Sequence, residues 1–314
     1  MPALPDREPM TYTDREFRQH SPIATLWRAG FALAFTVCVT GCASASLDGD
    51  GSLSSYADLR TSDGVLAKSK LFVNNDAVSA ARTVRIVPAT FASKAQVDGV
   101  TLEQRKLIGN AINRSLCVTL SDRFVLVSSE DADLTVHTRV TQMTATDTTA
   151  VMASRGGAIA TAVLLPGVPV PSPRIPIGLG SLSVEAEARG RNHRQVAAMI
   201  WGRGANFMSG AGRVSTSGDA YDLAGAFGED FSAMLVTGKS PFGAMAPTPS
   251  FERLQAMAGG QPKYSACEAF GRAPGVAGLV GGAVGAPPEW NDKGGTDGVA
   301  TAAQAPTQVP TNVR

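Results

Sequence analysis

The sequence predicts an α+β domain, a two-layer sandwich in which two long amphipathic helices cover one face of a sheet of about five strands. Short segments rich in β-branched residues alternate apolar and polar side chains, which is the period of a half-buried strand. Two longer segments repeat apolar residues at spacings of three and four, which is the period of a helix packed on one side. Their order along the chain is β-α-β-β-(insert)-β-β-α.

The first half of the domain contains three predicted strands and the first helix. Thr101 can cap the helix, because Gln104 stands three residues later and completes the capping-box pattern. At about 1.5 Å per residue, the helix is long enough to cross a sheet. The predicted strands are Thr83–Phe91, Arg123–Val127 and Leu134–Met143, and the predicted helix is Thr101–Leu120.

The second half contains a hairpin and the second helix. Ser181–Gly190 and Gln195–Gly204 alternate most clearly and are joined by a polar turn, so they predict the hairpin. The helix is predicted over Asp219–Val236, capped by Asp219 or Ser217 and ended by Gly238.

A segment rich in glycine and proline, 152–180, separates the two halves. Proline cannot donate to a β-ladder, so we predict a long inserted loop, part of it extended and part of it helical, rather than a central strand. Two interpretations stay open at this point. The loop is a surface flap packed on its own domain, or it contacts a partner or a membrane, since loops of this length are often functional.

The polar side of the sheet is the candidate interaction face. Alternation places Glu185 and Glu187 on one side of the predicted hairpin, and Arg139 is expected on the same side of the neighbouring strand. We expect this face to meet solvent or a partner. Paired carboxylates can also perform acid–base chemistry, but no acid–base partner is visible in the sequence, which favours a solvated face.

Composition and motifs exclude several function classes. The formal net charge is +1, with 28 basic and 27 acidic residues, which indicates no nucleic-acid partner. His137 and His193 lie on different predicted elements and have no Cys or acid at ligand spacing, so we predict no metal. No phosphate loop, nucleophile elbow or zinc motif is present. We therefore predict neither a cofactor nor an enzyme, and an unrecognised catalytic site stays as the minor alternative.

The N-terminal region has the pattern of a secretory signal. The uncharged apolar run 29–40 follows Arg28 and is shorter than the roughly 20 residues that a membrane span needs. It ends in "VTGC", which resembles the lipobox of bacterial lipoprotein signal peptides. The resemblance implies cleavage between Gly41 and Cys42 and attachment of lipid to Cys42. The alternatives are a short buried helix with two incidental cysteines, or a metal or redox pair with Cys38.

By the same resemblance, Ala43 after the lipidated cysteine implies sorting to the outer membrane, with the protein facing the periplasm; retention in the inner membrane is the alternative. Each buried acyl CH₂ is worth about 0.8 kcal/mol, so several chains would anchor the protein stably. The sequence thus divides into a signal peptide (1–41), a flexible Gly/Ser-rich tether (42–70), the α+β domain (71–242) and a poorly ordered tail (243–314).

Two cysteines remain after removal of the signal and lipidation. Cys117 and Cys267 are an even number in an oxidising compartment, which favours a disulfide between them. Such a bond would connect the tail to the first helix. Two unpaired thiols are the alternative.

Four segments of the mature chain resemble a family of bacterial lipoproteins known as domain of unknown function 3313. They are "GSLSSYADLR", "RIVPATF", "PSPRIPIGLGSLSVEAEARG" and "SGDAYDLAGAFGEDFSAML", and the resemblance covers roughly Leu53 to Phe242. It implies no established activity and no catalytic residues. The expected function is a lipid-anchored, non-catalytic interaction or structural role with an envelope protein as partner. The alternative is an auxiliary lipoprotein subunit of an envelope transport system, which rests on analogy.

Overall fold

The structure is a computed structural model that describes residues 45–164, 174–206, 212–243 and 248–295, with the side chains of 158–164 left out. The predicted signal peptide, including Gly41 and Cys42, lies outside the described residues. Among the helices described, none combines the length and apolar character that a membrane crossing requires.

A single open sheet of eight strands forms one layer of the domain, and the α+β class is confirmed. The strands follow the spatial order β1-β2-β8-β7-β6-β3-β5, and β4 also pairs with β6. The long strands β6, β7 and β8 form the antiparallel centre. The strands are β1 (Arg60–Thr61), β2 (Lys68–Val73), β3 (Thr83–Ile86), β4 (Thr90–Phe91), β5 (Val125–Leu126), β6 (Leu134–Thr144), β7 (Ser181–Gly190) and β8 (Gln195–Gly204).

The described chain also contains seven α-helices. They are α1 (Asn75–Ala80), α2 (Leu102–Leu120), α3 (Thr148–Leu164), α4 (Gly218–Thr237), α5 (Phe251–Met257), α6 (Gly275–Val284) and α7 (Pro288–Asn291). Short 3₁₀ turns occur at Ser93–Ala95 and Ser265–Phe270.

Helices α2 and α4 pack side by side on the face of the sheet that we call the inner face. The core between the layers is dry and includes Trp201, Phe227 and Phe231, with the Trp201 and Phe227 ring centroids 5.6 Å apart. A Cβ on Gly228 would stand 2.5 Å from Ser115 Cβ, so glycine is needed where the two helices approach.

The ends of these two helices are largely those that the sequence indicates. Thr101 and Gln104 form the capping box of α2. Gly238 ends α4 in the left-handed conformation, at a φ of 66°. The start of α4 differs: Ser217 makes no side-chain cap, and Asp219 is instead used by a buried ion pair described below.

The prediction of a flexible tether over 42–70 is wrong for residues 45–70, which the structure describes. Residues 45–59 lie on the outer face of the sheet, and β1 and the start of β2 follow them. β2 pairs with β8 over its full length. The sequence analysis did not predict this strand, which extends the sheet beyond β8. Small polar residues suggested a linker, but tertiary contacts order this segment.

The insert predicted over 152–180, expected to be partly extended and partly helical, has a longer helix in its first part than the term loop implies. Helix α3 begins at Thr148 and continues to Leu164. Gly156 and Gly157 disfavour a helix locally, but the alanines on both sides favour it, and the first proline of the segment is Pro166. Residues 174–180 lie outside the helices and strands and lead into β7.

The predicted poorly ordered tail, 243–314, differs from the structure over residues 248–295. This stretch contains α5, α6 and α7 and packs against α2. Helix α6 buries three glycines, Gly275, Gly278 and Gly281, against the domain and leaves larger apolar side chains exposed. The segment therefore lacks the usual apolar core-facing stripe, which is why composition suggested disorder.

Candidate functional site on the outer face of the sheet

The outer face of β6 and β7 brings together the charged residues that the alternation predicted. Arg139 is directly opposite Glu185 in the antiparallel register, and His137 is directly opposite Glu187. Val184 and Ala186, which alternate with the two glutamates along β7, belong to the core on the inner face. The shared face of Glu185, Glu187 and Arg139 is therefore present in the structure.

The expectation that this face is open is wrong. Glu185 and Glu187 are each only 1% exposed. Residues 45–59, which we call the N-terminal strap, lie across them. A buried carboxylate must be hydrogen-bonded or paired to remain charged, and the strap supplies the donors.

Glu185 is held by four donors from the strap. The backbone N–H groups of Asp50 and Ser52 donate to it at 2.8 and 3.3 Å. The Ser52 hydroxyl donates to Oε2, and the Tyr56 hydroxyl donates to the same oxygen at 2.8 Å. Burial, and then the Glu185 carboxylate, raise the pKa of Tyr56 and outweigh the lowering by the Leu53 N–H, so its hydroxyl stays a donor.

Glu187 joins the strap to the hairpin. Ser54 donates its N–H at 2.8 Å and its hydroxyl at 3.1 Å, and Gln195 Nε2 donates at 2.7 Å. Arg189 Nε donates at 2.6 Å. Burial alone raises the pKa of Glu187, but these hydrogen bonds outweigh it and hold the pKa below its usual value.

A small apolar cluster and one ion pair also hold the strap on the sheet. Leu53 is buried against Ala198 and Ile200 of β8. Arg139 Nε donates to Asp50 at 2.9 Å, so the third predicted face residue also contacts the strap. At the first described residue, Ala45, the chain passes so close to Gly202 that a Cβ there would lie 3.1 Å from Ala45 Cβ.

Beside the strap is a cavity of about 260 Å³. Its walls include His137, Arg139, Glu185 and Arg189. Burial, and then the positive charge of Arg189, lower the pKa of His137 and favour its neutral form. The Glu185 carboxylate already accepts four hydrogen bonds, so it is committed to the strap and is poorly placed to take a proton from a ligand.

No group of three or more His, Cys, Asp or Glu within the described part of the chain could hold a metal ion. His193 lies at the hairpin turn with a φ of 58°, beyond the end of β7, whereas His137 lies within β6 opposite Glu187. The two mature-chain histidines are thus not brought together into one site.

Cys117 and Cys267 are bonded in the structure, with an S–S distance of 2.01 Å. The bond joins α2 to the 3₁₀ turn at Ser265–Phe270 and is buried. It connects the tail to the helix layer, which is the arrangement that the disulfide interpretation implies.

The strap is the functional feature that sequence reasoning missed. One signal was available: Ser52 and Ser54 have the same two-residue spacing as Glu185 and Glu187. Matching spacings of donors and acceptors fit an extended segment lying along a strand. Nothing local to the strap, however, indicates which strand it covers.

The residues that form the strap, the sheet and most of α4 match one family model. It is the model of the family described as Protein of unknown function (DUF3313), and it matches residues 48–231, more than half of the 314-residue chain. The chain belongs to the DUF3313 family. In this DUF3313 member the match begins within the strap and ends before the tail, so the strap is part of the matched domain.

Comparisons with individual proteins add little to the family assignment. No curated protein matches this DUF3313 member. Two solved structures are similar to it: the PelC dodecamer from Paraburkholderia phytofirmans (10% identity, TM-score 0.31, 51% of this chain and 91% of that chain) and a point variant of the same dodecamer (10%, TM-score 0.27, 54% and 90%). At these TM-scores the likeness supports no argument about this protein.

Proposed function

We propose that this protein is a lipid-anchored, non-catalytic cell-envelope protein whose folded domain is held close to the membrane that carries its lipid. Cys42 is the lipid attachment point, and the protein faces the periplasm from the outer membrane. The observation that carries the proposal is the position of Ala45. Three residues after the lipobox cysteine, the chain already lies against β8.

The strap limits how far the folded domain can move from a membrane that holds the lipid anchor. An extended chain spans at most about 3.6 Å per residue, so Cys42 lies within about 11 Å of Ala45. A flexible tether over 42–70 would let the domain move far from the membrane, whereas a strap seated at Ala45 does not. The acyl chains are thereby coupled almost directly to β8.

The polar groups of the outer face support a structural role rather than catalysis. Glu185 and Glu187 use their oxygens to hold the strap, and Arg139 is paired with Asp50. The strap thus uses the most charged part of the outer face for attachment. We propose that the work of the protein is interaction with an envelope partner, through surfaces other than this covered one.

Lipidation is tested with two matched cysteine variants of the full chain. Cys42→Ser should abolish lipid incorporation and release the protein from sedimented membranes. Cys38→Ser is the control, because Cys38 lies in the segment to be cleaved and its loss should leave both properties unchanged. Mass spectrometry of the mature N-terminus measures the lipid, and density-gradient separation assigns the membrane.

The proposal fails if Cys42→Ser still sediments with membranes, or if the mature protein carries no lipid at Cys42. Recovery in the inner-membrane fraction would correct the sorting while leaving the anchor in place. Purification from crosslinked membranes then identifies the partner, and recovery of a stable transporter would favour the auxiliary-subunit alternative.

A further inference from the structure

A larger cavity, about 550 Å³, lies on the helix side of the domain, where the end of β8 meets the start of α4 and the end of α6. Its charged walls are Arg174, Arg203, Arg213, Asp219 and Asp222, and we call it the arginine cavity. Gly282 and Ala283 of α6 close one side. None of these residues takes part in the outer-face site.

The arginines of this cavity are only partly used by its aspartates. Arg174 donates both terminal nitrogens to Asp219, at 2.5 and 2.9 Å. Its Nε–H therefore points away from that carboxylate; it is buried without a hydrogen-bond partner, although the residue is only 3% exposed. The Nε–H of Arg203 is likewise buried and unpartnered. An unpaired buried donor of a charged group is costly unless a ligand supplies an acceptor.

Further charged side chains lie immediately behind the walls of the cavity. Arg155 donates to backbone carbonyls, those of Gly212 and Ala283 among them, rather than to a carboxylate. Asp230 faces Arg203 but also accepts a hydrogen bond from Trp201 at 2.8 Å. Burial, and then the charges of Arg174 and Arg213, lower the pKa of Arg155, as expected for clustered guanidinium groups.

The charged side chains at and behind the walls are four arginines, three aspartates and Glu229, whose charge acts on Asp230. The arginines are Arg155, Arg174, Arg203 and Arg213, and the aspartates are Asp219, Asp222 and Asp230. The neighbouring segments 165–173 and 207–211, which lie outside the described residues, contain no Asp or Glu in their sequence. These two segments therefore add no carboxylate to the group.

We propose that the arginine cavity is a binding site for an oxyanion of the phosphate class, which accepts hydrogen bonds from Nε–H of Arg174 and of Arg203. Guanidinium groups match the geometry of tetrahedral oxyanions and bind them with strong, charge-assisted hydrogen bonds. The cavity is larger than a bare phosphate and falls in the size range of small-ligand sites, so it admits a phosphate ester. The ester can be a soluble one or a lipid headgroup. The proposal does not depend on lipid at Cys42.

The first test uses the full chain purified in a non-ionic detergent. Inorganic phosphate should raise the thermal midpoint above the value in sodium chloride of equal ionic strength, because a ligand that binds only the folded state stabilises it. Arg203→Gln should weaken phosphate binding by about tenfold or more. Arg203 is chosen because Arg174 and Arg213 hold aspartates whose release would destabilise the fold.

Two further variants keep the test decisive. Arg191→Gln removes the same charge at the hairpin turn, where the side chain is 68% exposed, and should bind phosphate as the wild type does. Arg203→Lys keeps the charge but loses the Nε–H, so it should weaken binding and replaces Arg203→Gln if that variant does not fold. If Arg191→Gln and Arg203→Gln lost phosphate binding equally, the effect would be general charge screening and not binding at a site. That result would overturn the proposal.

A second experiment, with the Cys42→Ser chain, distinguishes a soluble phosphate ester from a lipid headgroup as the ligand. Flotation with vesicles of phosphatidylglycerol and phosphatidylcholine is compared with phosphatidylcholine alone, and glycerol 3-phosphate serves as the soluble ester. Vesicle binding that Arg203→Gln abolishes assigns a lipid headgroup. Binding of phosphate or glycerol 3-phosphate without vesicle binding assigns a soluble ester. The proposal would be overturned if neither an Arg203-dependent vesicle interaction nor a phosphate-specific shift were observed.

Discussion

The two ends of the described chain cover opposite sides of the domain and are held there by different chemistry. The N-terminal strap, 45–59, lies on the outer face of the sheet and is held by hydrogen bonds to Glu185 and Glu187. The tail, 248–295, lies on the helix layer and is held by a disulfide and a buried ion pair between Arg114 and Asp292. Composition alone suggested disorder for both.

This difference in chemistry predicts that the strap and the tail respond to different solution conditions. Hydrogen bonds to carboxylates are lost when the carboxylates are protonated, so the strap should respond to acid and be indifferent to reductant. The tail should respond to reductant, because a covalent bond connects it to α2. Reducing conditions should therefore leave the strap in place while the tail loosens.

The largest expected effect is loss of the buried carboxylate of Asp292. Arg114 donates to it at 2.5 Å and Tyr221 at 2.6 Å. Asp292→Ala leaves the Arg114 charge buried without compensation and should lower the free energy of unfolding by about 3–5 kcal/mol. Chemical denaturation measures this value.

Glu268→Ala is the control within the tail. Its pair with Arg272 is half-exposed on both sides, so its loss should cost less than about 1 kcal/mol. Similar costs for the two variants would mean that the buried network does not hold the tail.

The second effect is removal of the disulfide. The double variant Cys117→Ala, Cys267→Ala should lose about 2–4 kcal/mol, because the bond closes a long loop across 150 positions. Hydrogen exchange should increase in the tail and stay unchanged at the strap amides. Reductant should reproduce the loss in the wild type and have no effect on the double variant; alkylation of both cysteines in non-reduced protein would contradict the bond.

The long elements were predictable from sequence and the two terminal segments were not. Helix α2 and the β7–β8 hairpin have many residues in register with their period and their own caps or turn, so local information is sufficient. Strand β2 and helix α6 are short or built of small residues, and they gain their stability from distant contacts. Propensity and pattern do not record such contacts.

The candidate site shows the same limit. Alternation placed Glu185, Glu187 and Arg139 on one face, because a strand's period fixes which side each residue takes. It could not show that Ser52 and Tyr56, more than a hundred residues earlier, would cover that face. Likewise, Arg174 and Asp219 carry no pairing signal in the sequence and become a buried pair only in the fold.

The third effect concerns the strap. Glu185→Ala removes the acceptor of four hydrogen bonds and should lower the free energy of unfolding by about 1.5–3 kcal/mol. Exchange of the Ser52 and Ser54 amides should accelerate while the tail stays protected. Glu130→Ala is the control, since that side chain is 87% exposed and its loss should change stability by less than about 0.5 kcal/mol. Unchanged exchange at Ser52 would show that Glu185 does not hold the strap.

The smallest expected effect is the response of the strap to acid through Glu187. Its folded-state pKa lies below the ordinary value of 4.5, so its stabilisation is complete above that pH and is lost as the pH falls through the folded-state pKa. Unfolding free energies between about pH 6 and about pH 3 should therefore fall more steeply in the wild type than in Glu187→Gln. Asp133, whose pKa is also lowered, is present in both proteins, so the difference in slope isolates Glu187. Parallel slopes would mean that Glu187 does not couple the strap to pH, and would remove the contrast between an acid-sensitive strap and a reductant-sensitive tail.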